Sequence, residues 1–268
     1  MPPRPVFLLL SLLLCLAVAP RLAASETGTS EPATSTMAPA VRVLFVGNSH
    51  TSTNNLPLVV ARLARQQGVE LEVGMLAEPG HSLGDHLSGR RLPVALRTKE
   101  WDWVVMQQGP SSLPESRADL VRSATAIAVE LHGRPTRIAL LSVWPHRRYR
   151  ASSLAAEASY RQAATAIDAC VLPAATAWRF ASTFEDAPRL YQRDQLHATR
   201  AGTVLTALTV LHGLVGESRH DLSAMAGDAS PSDAPGELDV LRAVARRAHL
   251  GEPRRCTGAR PEQVVGER

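Results

Sequence analysis

Two features of this chain have residue types and spacing suited to chemistry: a serine that directly follows an apolar run, and an aspartate three residues ahead of a histidine near the other end. The serine is Ser49, in Val41-Arg42-Val43-Leu44-Phe45-Val46-Gly47-Asn48-Ser49-His50-Thr51. A serine needs a base to act as a nucleophile near neutral pH, and the base needs a group that orients it. Among nine histidines, His197 stands out because Asp194 precedes it by three residues on a polar stretch. On a turn, that spacing lets the carboxylate reach the imidazole, fix its tautomer and stabilise its charged form. Plain alternatives exist for both features. Ser49 could be a helix N-cap, and an Asp-x-x-His pair could be an incidental surface or capping pair. His50, His81 and His86 could be read as a metal cluster, but their spacing matches no standard zinc pattern. No metal or organic cofactor is expected.

The elements that must position these residues follow from periodicity. Residues 41–46 are a short β-branched run of the kind buried on both faces of a parallel sheet. They break at Gly47-Asn48 into a helical pattern over 56–67, so Ser49 sits at the carboxyl end of a strand, where open α/β sheets bind ligands. Strands are expected at 70–76, 103–107, 137–143 and 171–177. Helices are expected at 85–96, 115–131, 153–169, 200–214 and 237–249. Strands alternating with helices imply βαβ units and a mostly parallel five-stranded sheet. Trp144, Trp178 and Tyr191 fall at or after expected strand ends, where they could line a pocket or pack in the core.

Several stretches, in order, resemble the SGNH (GDSL-type) hydrolase superfamily over about residues 41–215. Gly47-Asn48-Ser49-His50-Thr51 is similar to its first block and Asp194-x-x-His197 to its last. Pro79-Gly80-His81-Ser82-Leu83 stands at the glycine block and Gln107-Gln108-Gly109-Pro110-Ser111 at the third block. Val143-Trp144-Pro145, the stretch from Leu172 to Trp178 and Leu190-Tyr191-Gln192-Arg193-Asp194 resemble one bacterial branch. The resemblance implies a flavodoxin-like three-layer α/β/α sandwich with Ser49 as nucleophile, His197 as base and Asp194 as its orienter. It also implies an oxyanion hole built from the backbone N–H groups of Ser49 and Gly80 and a side-chain amide from the third block. There the chain departs from the usual pattern, with Ser111 where asparagine is expected. Strand alternation turns Gln107 and Gln108 to different sides, and Gln108, further past the strand, is the better candidate for the third donor.

Composition bounds the setting. Arg4, an apolar run over residues 6–19 and the small Ala24 read as a signal peptide at 1–24, followed by a Ser/Thr/Pro-rich linker at 25–40. The hydrolase domain would span 41–216, and 217–268 would be an extension with one helix and a mobile tail. Removing Arg4 and Arg21 takes 29 basic residues against 25 acidic to 27 against 25, a net of +2. Such a balance argues for neither nucleic acid nor a membrane surface as partner. The protein is therefore expected outside the cytoplasm without a stable membrane anchor; only a true start at Met37 would place it inside. Cys170 and Cys256 remain after cleavage, and whether they pair is left open. The expected activity is hydrolysis of carboxylic esters of a small molecule or carbohydrate, with sugar O-acetyl groups as one candidate. An acyltransferase using the same site and a non-catalytic binding module on the same scaffold are the alternatives.

Overall fold

In the first strand, β1 (Val41–Gly47), Val43 and Phe45 face one hydrophobic layer while Leu44 and Val46 face another. This is the period-two geometry of a strand buried on both sides. The computed structural model describes residues 40–184, 187–216, 236–253 and 256. After β1 come α1 (Ser49–Ser52), a 3₁₀ turn (Thr53–Asn55), α2 (Leu56–Gln66), β2 (Leu71–Ala77), α3 (Leu83–Ser88), α4 (Arg91–Thr98) and β3 (Trp103–Met106). The chain continues through α5 (Pro114–Glu130), β4 (Arg137–Leu141), a 3₁₀ turn (Arg147–Ser152), α6 (Ser153–Ala166) and β5 (Cys170–Leu172). The remaining described helices are α7 (Ala174–Ala181), α8 (Arg200–Val215) and α9 (Glu237–His249).

The five strands are all parallel in the order β2-β1-β3-β4-β5. Side chains of α2, α7, α8 and α9 cover one face of the sheet, and those of α3, α4, α5 and α6 cover the other. The result is the three-layer α/β/α sandwich expected. Strand order reverses at β1, with β2 on one side and β3 on the other. The crevice at such a switch point is where doubly wound sheets hold their ligands. Ser49 follows β1 and Gln107 follows β3, so both stand at that end of the sheet.

Three local expectations are corrected. The helical piece at 85–96 is two helices, α3 and α4, separated at Gly89. The strand expected at 171–177 ends at Leu172. There Pro173 leads into the alanine-rich α7, because alanine is the best helix former and proline suits a helix start. The helix at Glu237–His249 is found with the expected bounds, but it is no appendage: Leu241, Val244, Ala245 and Ala248 are buried in the layer that holds α7 and α8. Cys170, at the start of β5, is disulfide-bonded to Cys256, 86 residues on. The segment read as a signal peptide, nearly all of the expected linker and most of the expected C-terminal tail lie outside the described residues. Among the described residues no helix is long and apolar enough to cross a membrane.

Candidate active site

The first side of the site is the turn after β1. Asn48 leaves the strand in an extended conformation and caps α1, its Oδ1 accepting from the backbone N–H of His50 at 3.1 Å. Ser49 is therefore not the cap but the first residue of the turn, a position whose N–H has no intrahelical acceptor. Gln107 clamps the turn from β3. Its Oε1 accepts from the Asn48 N–H at 3.0 Å and the Thr51 hydroxyl at 2.8 Å, while its Nε2 donates to Asn48 Oδ1 at 3.0 Å. Gly47 must lack a side chain, because a Cβ there would collide with Gln107 and Thr51. The Asn48 amide also donates to the His81 carbonyl at 3.1 Å, joining the turn to the Gly80 loop. Gly80 holds a φ of +78°, where L side chains are strained.

The second side is the loop before α8. Asp194 Oδ1 accepts from the backbone N–H groups of Leu196 (2.9 Å) and His197 (3.0 Å), and Oδ2 lies 2.6 Å from His197 Nδ1. The Leu196 N–H, then the His197 ring and its N–H, hold the Asp194 carboxyl down at about 2. A carboxylate at Nδ1 requires a proton there, which leaves Nε2 free to act as a base when the ring is neutral. The loop is anchored on all sides. Trp144 Nε1 donates to the Leu196 carbonyl at 2.9 Å, the Arg147 N–H donates to Gln195 O at 2.8 Å, and the Gln192 N–H donates to His197 O at 2.8 Å. Asn54 donates to the Ala198 carbonyl and to Thr203 Oγ1, both at 2.9 Å.

His50 and Asn54 bring the two sides together. The buried His50 ring lies 6.4 Å from the His197 ring, centroid to centroid, and meets Trp144 edge-on at 5.2 Å. Burial, with His197 nearby, lowers His50 to about 4, so it is a neutral wall of the site. Behind it Trp144 stacks on Trp178 at 3.4 Å, and Tyr191 meets Trp178 edge-on. Both tryptophans are buried and back the His197 loop, and Trp178, with Tyr191, also borders a second, smaller cavity of about 300 Å³.

A cleft of about 640 Å³ opens beside these groups, bordered by Asn48, Gly80 and His81 at one side and by Leu113, Tyr149 and Leu196 elsewhere. Gln108 borders it too, but its carboxamide is already engaged. Oε1 accepts from the Leu83 N–H at 3.1 Å, and Nε2 donates to Ser111 Oγ at 3.0 Å and to the Ser116 carbonyl at 3.4 Å. The sequence could not show this, because it depends on partners in α3 and α5. Ser111 in turn donates to the Gly109 carbonyl. His86 approaches the Gly47 carbonyl at 2.7 Å and His81 lies against it at 5.2 Å between ring centroids. Among the described residues no group of three or more His, Cys, Asp or Glu side chains is arranged to hold a metal ion. Sequence reasoning missed Asn48 as the cap and Asn54 as the tether. Their one visible signal was asparagine beside a tight turn, Asn54 taking a φ of +55°.

Neither a protein-family model nor a curated protein matches the sequence. Among solved structures, a Slackia heliotrinireducens protein provisionally described as an SGNH hydrolase is 27% identical, with a TM-score of 0.57 over 65% of this chain and 98% of that one. A DUF4886 family protein from Bacteroides uniformis has a TM-score of 0.65 at 17% identity, covering 80% and 96% of the two chains. A lipase/acylhydrolase from Enterococcus faecalis has a TM-score of 0.53 at 17% identity, covering 68% and 100%. At 17% identity the last two show a shared fold. With the ordered sequence blocks and the parallel sheet, the likeness to the 27% identical structure defines the class: the chain belongs to the SGNH (GDSL-type) hydrolase superfamily.

Proposed function

We propose that Ser49, His197 and Asp194 form a catalytic triad that hydrolyses carboxylic esters through an acyl-enzyme. The observation that carries this reading is the 2.6 Å contact of Asp194 with His197 Nδ1, on a loop tied by Asn54 to the turn that bears Ser49. His197 Nε2 takes the Ser49 proton as Oγ forms its bond to the carbonyl carbon. Collapse of the tetrahedral intermediate breaks the bond to the alcohol oxygen, which receives that proton from His197. Water repeats the sequence, giving its proton to His197 and releasing the acid, and Ser49 recovers its hydrogen. The oxyanion is met by the N–H groups of Ser49 and Gly80. Gln108 joins them as third donor by exchanging its longer bond, the 3.4 Å contact with Ser116 O, for the substrate oxygen.

Ser49→Ala and His197→Ala should each lower kcat by about three orders of magnitude, and the double variant should be little worse, because residues acting as one unit are non-additive. A fluorophosphonate probe should label the parent enzyme at Ser49 and leave Ser49→Ala unlabelled. Near-normal ester hydrolysis by Ser49→Ala would overturn the assignment. Export is part of the same proposal. It is supported by the apolar N-terminal run and by the Cys170–Cys256 bridge, which suits an oxidising compartment. A mature N-terminus within a few residues of Ser25 is the check.

A further inference from the structure

The cleft beside the site says what kind of ester it fits. Its wall is mainly apolar surface, and its volume of about 640 Å³ is far more than an acetyl group needs. Two large apolar side chains from different loops border it while still facing solvent: Leu113, ahead of α5, is 65% exposed, and Tyr149, in the turn after β4, is 57% exposed. Apolar surface of that extent gains free energy when a chain covers it. Most hydroxyls of the wall are committed elsewhere, while His81 Nδ1 is buried without a hydrogen-bond partner. Ser111, Ser116 and Ser152 donate their hydroxyl protons to backbone carbonyls, and Ser82 donates to Asp85. Asp119 is paired with Arg122 and the Gln108 amide is engaged as described. A hydroxyl-rich guest would find few free donors there, whereas a hydrocarbon chain asks for none.

We propose that this cleft is the acyl site and takes an apolar chain well beyond acetyl, with Leu113 and Tyr149 lying against it. The proposal rests on the Ser49 reading above, because the cleft meets that site at Asn48, Gly80 and Leu196. It turns the sequence-based suggestion of sugar O-acetyl groups toward esters of longer, lipid-like acids.

The test is kcat/KM on p-nitrophenyl acetate, butyrate and octanoate, beside an acetylated sugar. Each buried methylene provides up to about fourfold, so octanoate should exceed acetate by about tenfold or more. The double variant Leu113→Asn, Tyr149→Ser should collapse the octanoate-to-acetate ratio to within about threefold, the cost falling mainly on octanoate. Both positions are exposed, and asparagine suits the helix-capping place of Leu113, so the variant should fold. If it does not, the chain-length series on the parent enzyme decides alone. Preference for acetate or the acetylated sugar over octanoate would overturn the proposal and leave the esterase standing. No turnover of any ester, with Ser49 unlabelled by a fluorophosphonate, would remove the triad itself.

Discussion

Two neighbouring glutamines have different work to do because a strand end turns them apart. Gln107 is buried and satisfies the Asn48 N–H, so Gln107→Ala leaves a buried donor without an acceptor. That should cost roughly 1–3 kcal/mol of stability, visible as a lower thermal midpoint. Gln108→Ala should lower kcat by about a hundredfold at little-changed KM if the amide swings to the oxyanion, since one such donor is worth about that factor. A Gln108→Ala enzyme with unchanged kcat would mean that the hole has backbone donors only. His50 supplies a pH prediction. The unfolded chain protonates it near 6.5, the folded protein only near 4, so between these values the unfolded state binds more protons. Stability should therefore fall as pH drops through that window, by roughly 2–3 kcal/mol at most. His50→Phe keeps an aromatic ring against Trp144 and removes the titration. Denaturant midpoints of parent and variant should diverge as pH falls from 6.5 to 4; parallel curves would show that His50 is not held neutral.

Among the elements, the short segments carry more of the site than the long ones. Asn54, in the 3₁₀ turn ahead of α2, reaches across to the carbonyl after His197 and to Thr203 of α8, which ties the turn of Ser49 to the loop of His197. Displacement of a catalytic group by about 1 Å can cost a hundredfold. Asn54→Gly keeps the left-handed backbone and deletes the tether, while Asn54→Ala loses both. Glycine should thus retain most stability yet lose about tenfold or more in kcat, and alanine should lose both. An Asn54→Gly enzyme with parental kcat would show that the loop needs no tether. The strands and long helices were legible because β-branched runs and 3.6-residue periodicity are local signals. The triad candidates were legible because Asp194 and His197 sit on one turn. What was not legible depended on contacts far apart in sequence. The Gln108 carboxamide is set by Leu83 and Ser116, and the Trp144–Trp178 stack by the return of α7 beneath β4. The β5–α7 boundary was misplaced for a local reason, because Val171 to Ala177 is apolar but for Thr176, and periodicity alone does not separate a short buried strand from a buried helix.

At the scale of the molecule, the proposed nucleophile and the covalent staple belong to different strands of the sheet, Ser49 following β1 and Cys170 beginning the edge strand β5. All five strands point their carboxyl ends toward Ser49, and Cys170, on the edge strand β5, pairs in register with Ala139 in the middle of β4. The bridge to Cys256 closes a separation of 86 residues, and nearby Glu252, buried, is held by Arg161 of α6. Together these contacts fasten the segment after α9 to β5 and α6, so that α9 stays over α7 and α8. Closing a loop of this size restricts the unfolded chain, and removing the bridge should cost roughly 2–4 kcal/mol. For a domain of this size that is a fall of about 5–10 °C in thermal midpoint. Cys256→Ser should show that fall, and a reductant should reproduce it in the parent protein while leaving the variant unmoved. The kcat/KM of Cys256→Ser, measured well below its midpoint, should match the parent, because β3 and β4 stand between β5 and the strand that leads into Ser49. A variant that kept its midpoint would show that burial of Leu241, Val244 and Ala248 holds α9 without the bridge. A variant that kept its midpoint but lost activity would mean that the staple reaches the site through β5 and α7.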